Sequence, residues 1–169
     1  MKLIGNYSNI IRPSWAFDML TKEGDKRPNQ AMVKDDDSFK EQREAWQNAG
    51  YELENGSVEW HLYWDKHITE PLDTEQLEIT KGKRCHWWFV KLMPGKCFPQ
   101  HKDYFADFKN PVRYWMAMEN YKWGHVFLIG DTQIKDYKEG DLFRIENDWH
   151  AAANIGLVPK LSIQLVVDE

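Results

Sequence analysis

From Arg84 to its end, the chain alternates short apolar runs with turn residues, and the gaps between them leave little room for a crossover helix. Cys85 to Leu92 stops at Pro94-Gly95, Arg113 to Met118 at Asn120, and His125 to Ile129 at Gly130-Asp131. Leu142 to Ile145 follows Glu139-Gly140-Asp141, His150 to Ile155 precedes Gly156, and Lys160 to Val167 comes last. Turn signals separated by roughly 8–12 residues, without crossovers, specify antiparallel strands, because parallel neighbours need connections of a dozen residues or more. The expected architecture is mainly β, an antiparallel sandwich or barrel. Trp87-Trp88-Phe89-Val90 is apolar at successive positions, so that strand must be covered on both faces.

The first part of the chain, 1–83, reads as helix and loop, against a β core over 84–167, the whole 1–169 forming one domain. Ser14 to Leu20 is a short apolar helix candidate. Asp37-Ser38 caps a second candidate, Phe39 to Asn48, which Gly50 stops. Thr21 to Asp36 has no periodicity and reads as an exposed loop; the aspartates Asp35 to Asp37 at its end read as a solvated charge run leading into a helix N-terminus in preference to a metal site.

Composition excludes several classes. The mean hydropathy of −0.71 is offset by nine Trp, eight Phe and seven Tyr among 169 residues, which a disordered chain would not carry. A formal charge of −5 leaves no basic surplus to neutralise a phosphate backbone, so bulk nucleic-acid binding is not expected. Cys85 and Cys97 form neither a CxxC pair nor a disulfide framework, which suits a reducing compartment. Met1 to Tyr7 turns polar before a signal-peptide core could form, and no uncharged run of membrane-spanning length occurs. A cytoplasmic protein with no membrane partner is the expectation; the oligomeric state is not legible.

In the last run, Leu161, Ile163, Leu165 and Val167 share one face of a strand, while Lys160, Ser162, Gln164 and Val166 share the other. Either the apolar face lies under the helices and Lys160 looks into the interior, or the reverse holds and Lys160 points into water. His101-Lys102-Asp103 puts an imidazole and a carboxylate two residues apart, able on a strand to reach one ion. His150 follows much later beside small residues, Ala151 to Ala153. Lys160 and Ser162 together can bind a carboxylate by ion pairing plus a hydrogen bond.

His101-x-Asp103, a distal His150, and a basic residue ten positions after it followed by x-Ser resemble the iron(II) and 2-oxoglutarate dependent oxygenases. The resemblance spans about Arg84 to Val167 and implies a double-stranded β-helix, a jelly-roll, cupin-like fold, with the N-terminal helices packed on one face. It implies that His101, Asp103 and His150 hold Fe(II), leaving three positions open for cosubstrate and O2. It further implies that Lys160 and Ser162 meet the far carboxylate of 2-oxoglutarate. Arg113 opens the strand after the H-x-D segment, where an arginine in the aspartyl/asparaginyl hydroxylase branch helps hold the cosubstrate; a surface ion pair is its other role. Asp103 departs from the aspartyl β-hydroxylase pattern, which lacks that carboxylate, and from halogenating members, which replace it with a small residue. The implied activity is hydroxylation coupled to oxidative decarboxylation of 2-oxoglutarate to succinate.

Two other classes share parts of the pattern. A cupin-type metalloenzyme or isomerase would have the histidines without needing Lys160 and Ser162, and a ligand-binding barrel would need no metal triad. The substrate, a small molecule or a peptide, is not specified. His61, His67, His86 and His125 lack partners at ligand spacing and read as core or surface histidines. Trp88, Trp115 and Phe127 are candidate pocket walls or core, and Asn154 either orients a ligand or closes the turn before Gly156.

Overall fold

The computed structural model describes residues 1–27, 37–51, 60–145 and 148–169. Pro13 opens helix α1 (Pro13–Thr21), its ring presetting the first helical φ. The helix buries Trp15, Asp18 and Met19 at i, i+3 and i+4 and leaves Phe17 and Leu20 in water. Asp18 is a buried carboxylate; burial opposes its ionisation, but the Lys22 ammonium at 2.7 Å and the Thr69 amide and hydroxyl together hold its pKa below the usual range. The Lys91 ammonium and the Tyr63 hydroxyl both donate to Met19 O in the last turn of α1, where positive charge is favourable. Helix α2 (Lys40–Asn48) follows a single 3-10 turn over Asp37–Phe39 and stops just before Gly50, whose φ is +85°. No helix among the described residues is long and apolar enough to cross a membrane.

Eleven strands are described: β1 (Lys2–Asn6), β2 (Asp25–Arg27), β3 (Trp60–Tyr63), β4 (Cys85–Leu92), β5 (Cys97–His101), β6 (Pro111–Ala117), β7 (His125–Ile129), β8 (Thr132–Gln133), β9 (Asp141–Ile145), β10 (His150–Asn154) and β11 (Lys160–Asp168). All pairings are antiparallel. A seven-stranded sheet runs β1-β9-β6-β11-β4-β3-β2, and a four-stranded sheet runs β5-β10-β7-β8. The result is mainly β and consistent with a jelly roll, although the two sheets are not hydrogen-bonded into a closed barrel. The span expected to be helix and loop supplies β1 at one edge of the large sheet and β2 and β3 at the other. β2 falls inside the expected loop Thr21 to Asp36; Asp35 and Asp36 lie outside the described residues.

The outer face of the large sheet carries Leu161, Ile163, Leu165 and Val167 of β11 with Phe89, Tyr114 and Met116, and packs on Trp15 and Met19 of α1. The segment after β3 completes that cover with Ile68, Leu72 and Leu77. Of the two α-helices among the described residues, only α1 lies on this face, which corrects the expectation that both helix candidates would. α2 has its own small cluster with Phe39, Trp46 and Tyr51 and sits against the end of β5. Between the sheets lie Trp115, Phe127 and Ile129 on one side and Val90, Leu92 and Phe98 on the other.

Candidate metal centre

Strand β11 is central in the large sheet, and residues 160–167 are buried. With its apolar face under α1, strand alternation turns Lys160, Ser162 and Gln164 inward. Register places Gln164 beside Trp88 and Trp115, and Ser162 beside Val90 and Ala117. These side chains line a cavity between the sheets of about 530 Å³, its open mouth included. Of the two roles open to Trp88, Trp115 and Phe127, pocket wall or core, all three take the first and line it.

The same cavity contains His101, Asp103 and His150. β5 and β10 pair so that His101 and His150 are direct cross-strand partners, with ring centroids 4.2 Å apart. His101 Nδ1 lies 2.7 Å from Pro99 O and His150 Nδ1 2.9 Å from Asp148 O. A carbonyl oxygen only accepts, so each Nδ1 carries the proton and each Nε2 presents a lone pair. Asp103 Oδ1 is 3.9 Å from His101 Nε2, Asp103 Oδ2 is 3.1 Å from His150 Nε2, and the three donors fall within 4.8 Å of one another. Burial, with the facing imidazole and the Arg113 guanidinium, lowers His101 to about 3. Burial and Arg113 lower His150 to about 3, so both rings are neutral near pH 7. Two neutral imidazoles and a carboxylate converging from one side fit a divalent transition ion with open positions toward the cavity.

Asp103 does not arrive as the sequence implied. β5 ends at His101, so strand parity does not place the carboxylate. α2 does: Gln42 Nε2 donates to Lys102 O at 3.0 Å, Lys102 N–H donates to Gln42 Oε1 at 3.2 Å, and Trp46 Nε1 donates to Gln100 O at 2.6 Å. Gln42 and Trp46, spaced i and i+4, thus hold the backbone on both sides of His101. Sequence reasoning missed both, although their spacing on α2 marks one helical face.

Arg113 is buried at 5 % exposure, and the surface ion pair is excluded. Its Nη1 lies 2.9 Å from His150 Nε2 and contacts Asp103 Oδ2, and its Nη2 donates to Gln164 Oε1 at 2.6 Å. Burial lowers its pKa to about 9, which still leaves it cationic at neutral pH. A metal ion held by the triad would take the His150 Nε2 lone pair, while the Asp103 carboxylate could still accept from Nη1.

Lys160 is at the other end of the inner stripe, 4 % exposed. Its Nζ is 4.9 Å from the Phe127 ring centroid and 5.3 Å from that of Trp115, with Val126 O at 3.4 Å. Burial brings its pKa down to about 7, with Glu119 opposing. Ser162, also 4 % exposed, shares its face.

The remaining candidates are structural. Asn154 Nδ2 donates to Leu92 O and Val158 O, and its Oδ1 accepts from Gly156 N–H, so it closes the turn, the second of its two expected roles. His125 is buried with Nε2 at 3.2 Å from Val158 O, His67 lies 3.5 Å from Asp25, and His86 packs on Phe108. His61 is a β3 residue opposite Lys91, away from the triad.

No protein-family profile matches the sequence, and no curated protein matches it. Solved structures do. A predicted oxalate decarboxylase from Thermotoga maritima is 16% identical with a TM-score of 0.42, covering 66% of this chain and 82% of that one. A putative sugar phosphate isomerase from Acidithiobacillus ferrooxidans is 12% identical with a TM-score of 0.37, covering 49% of each chain. A cupin domain of an XRE-family transcriptional regulator from Enterobacter cloacae is 14% identical with a TM-score of 0.40, covering 53% of this chain and 87% of that one.

Proposed function

We propose that this chain is a metal-dependent enzyme acting on a small anionic molecule between its two sheets, and specifically an iron(II) and 2-oxoglutarate dependent oxygenase. The observation that carries this is the buried amino group of Lys160 in the same cavity as His101, Asp103 and His150. An ammonium enclosed by two aromatic rings is costly unless an anion completes it, and a dicarboxylate held at one end by a metal delivers a carboxylate to the other. When bound, the ion supplies Lewis-acid and redox chemistry at its open positions. The protein's own part is positional. The Pro99 and Asp148 carbonyls hold the two imidazoles with Nε2 inward, Gln42 holds the Lys102 N–H and carbonyl between His101 and Asp103, and Lys160 with Ser162 takes the far carboxylate. Trp115 and Phe127, both buried, exclude water from the inner end of the cavity.

A cupin-type metalloenzyme that moves protons or releases carbon dioxide without oxygen is the rival, and Arg113 favours it. A guanidinium against two of the three ligands suits an anionic substrate bound beside the ion. Anaerobic addition of 2-oxoglutarate to the iron(II) protein separates the two. The oxygenase gives a visible charge-transfer band that is lost in His101→Ala and His150→Ala, and forms succinate on admission of oxygen. Iron binding without band or succinate leaves the rival.

A further inference from the structure

Trp88 lines the cavity and is flanked by two more rings, Trp64 at 6.3 Å and Phe105 at 6.4 Å between centroids. Their placement follows from the chain. Tyr63 pairs with Phe89, which puts the next residue of that chain, Trp64, opposite Trp88. Phe105 lies two residues past Asp103, on the segment that carries the carboxylate ligand. All three rings are only half buried. They form an open arc from the end of β3 across β4 toward the His101, Asp103 and His150 cluster, and such partly wet aromatic walls beside a polar centre are characteristic of ligand sites.

Arg113 sits at this end, its guanidinium 5.9 Å from the Phe105 ring centroid. Its Nε is buried with no hydrogen-bond partner among the described residues. Nη1 reaches His150 Nε2 and Asp103 Oδ2 and Nη2 reaches Gln164 Oε1, so Nε is the donor left over; a metal on His150 would also free Nη1 of that ring, giving the guanidinium two donors for an incoming oxyanion. Lys160 is committed to the cosubstrate at the far end.

We propose that the primary substrate is a planar aromatic ring bearing a carboxylate, the ring lying against Trp88 between Trp64 and Phe105 and the carboxylate on Arg113. This rests on the oxygenase proposal in placing a metal on the triad and in assigning Lys160 to 2-oxoglutarate. The test is calorimetric titration of the protein, loaded with redox-inert zinc(II) and 2-oxoglutarate, with three probes: phenylacetate, cyclohexylacetate and phenylacetamide. Phenylacetate should bind at least about ten-fold tighter than either comparator, since one loses the flat face and the other the charge. Phe105→Leu and Trp64→Leu, both on partly exposed side chains, should each weaken phenylacetate several-fold, and Arg113→Gln should abolish its advantage over the amide. Equal binding of either comparator overturns the proposal. So does phenylacetate binding that Arg113→Gln leaves intact, because the acid would then be on the metal, and so does no binding up to about 10 mM. The iron(II) titration judges the metal centre separately: a band without ring preference sinks only the aromatic site, and ring preference without a band sinks only the oxygenase.

Discussion

Lys160 shows how much one buried side chain can be asked to do. A free lysine keeps its proton to about pH 10.4, whereas burial between Trp115 and Phe127 brings Lys160 down to about 7. A dicarboxylate needs the ammonium, so binding above pH 7 must bring a proton with it. The affinity for 2-oxoglutarate should therefore fall by about ten-fold per pH unit above about pH 7, with proton uptake visible as a buffer-dependent binding enthalpy. Lys160→Met should bind iron normally, lose most of its 2-oxoglutarate affinity, and show no such slope. Stability without ligand runs the opposite way. Between pH 7 and about 10.4 the unfolded chain holds the proton that the folded one has released, so stability rises with pH through that window. Lys160→Met should remove that rise in urea unfolding midpoints measured across the range. A wild-type 2-oxoglutarate affinity that is flat from pH 7 to 9 would show that another group meets the far carboxylate.

Elements differ in how plainly the sequence announces them. Strands β4, β6, β7, β9, β10 and β11 could be read from apolar runs between turns because each carries enough apolar side chains to show its period. β2 could not: Asp25-Lys26-Arg27 has no strand character of its own and is ordered by pairing with β3. The inward position of Arg113 was hidden too, because it depends on Arg113 pairing with Val166, a register no local pattern reveals. Asp103 was identified for an incomplete reason, since α2, and not strand parity, delivers it. That assigns α2 a measurable duty. Gln42→Ala removes both bonds to Lys102 and should lower metal affinity by about ten- to a hundred-fold, the usual effect of losing a group that orients ligands. The stability loss should be modest, about 1–3 kcal/mol for two unmet backbone groups. Competition with a chromogenic chelator reads the first and thermal unfolding the second. An unchanged metal affinity at reduced stability would make α2 a structural prop only.

At the scale of the whole molecule, the decisive fact is that the large sheet separates two environments, and β11 runs between them with each successive residue facing the other side. The sequence displayed the alternation but left open which face looked inward, because an apolar face fills an interior equally well from either side. What decides is the existence of a second apolar layer. Trp15 and Met19 of α1, with Ile68, Leu72 and Leu77, supply a dry cover on the outer face, while the inner face borders the cavity, so the apolar stripe goes outward and the polar stripe is left to line the site. Gly140 helps anchor this cover: its N–H bonds to Ala117 O and its carbonyl accepts from Tyr7 N–H, at a φ of +84° where an added Cβ would lie 2.1 Å from Ser8 N. Neighbouring substitutions on β11 should therefore have opposite consequences. Ile163→Ala, on a fully buried residue of the outer core, should cost about 2–5 kcal/mol of stability, while the folded fraction keeps its affinity for metal and 2-oxoglutarate. Ser162→Ala, one residue away, removes a cavity hydroxyl; it should leave the unfolding midpoint nearly unchanged and weaken 2-oxoglutarate by about 1 kcal/mol, the worth of one hydrogen bond. Urea melts and cosubstrate titrations on the two variants measure both quantities. If Ser162→Ala destabilised as strongly as Ile163→Ala while binding stayed intact, the inner stripe would be core, and the division of labour across the sheet would not exist.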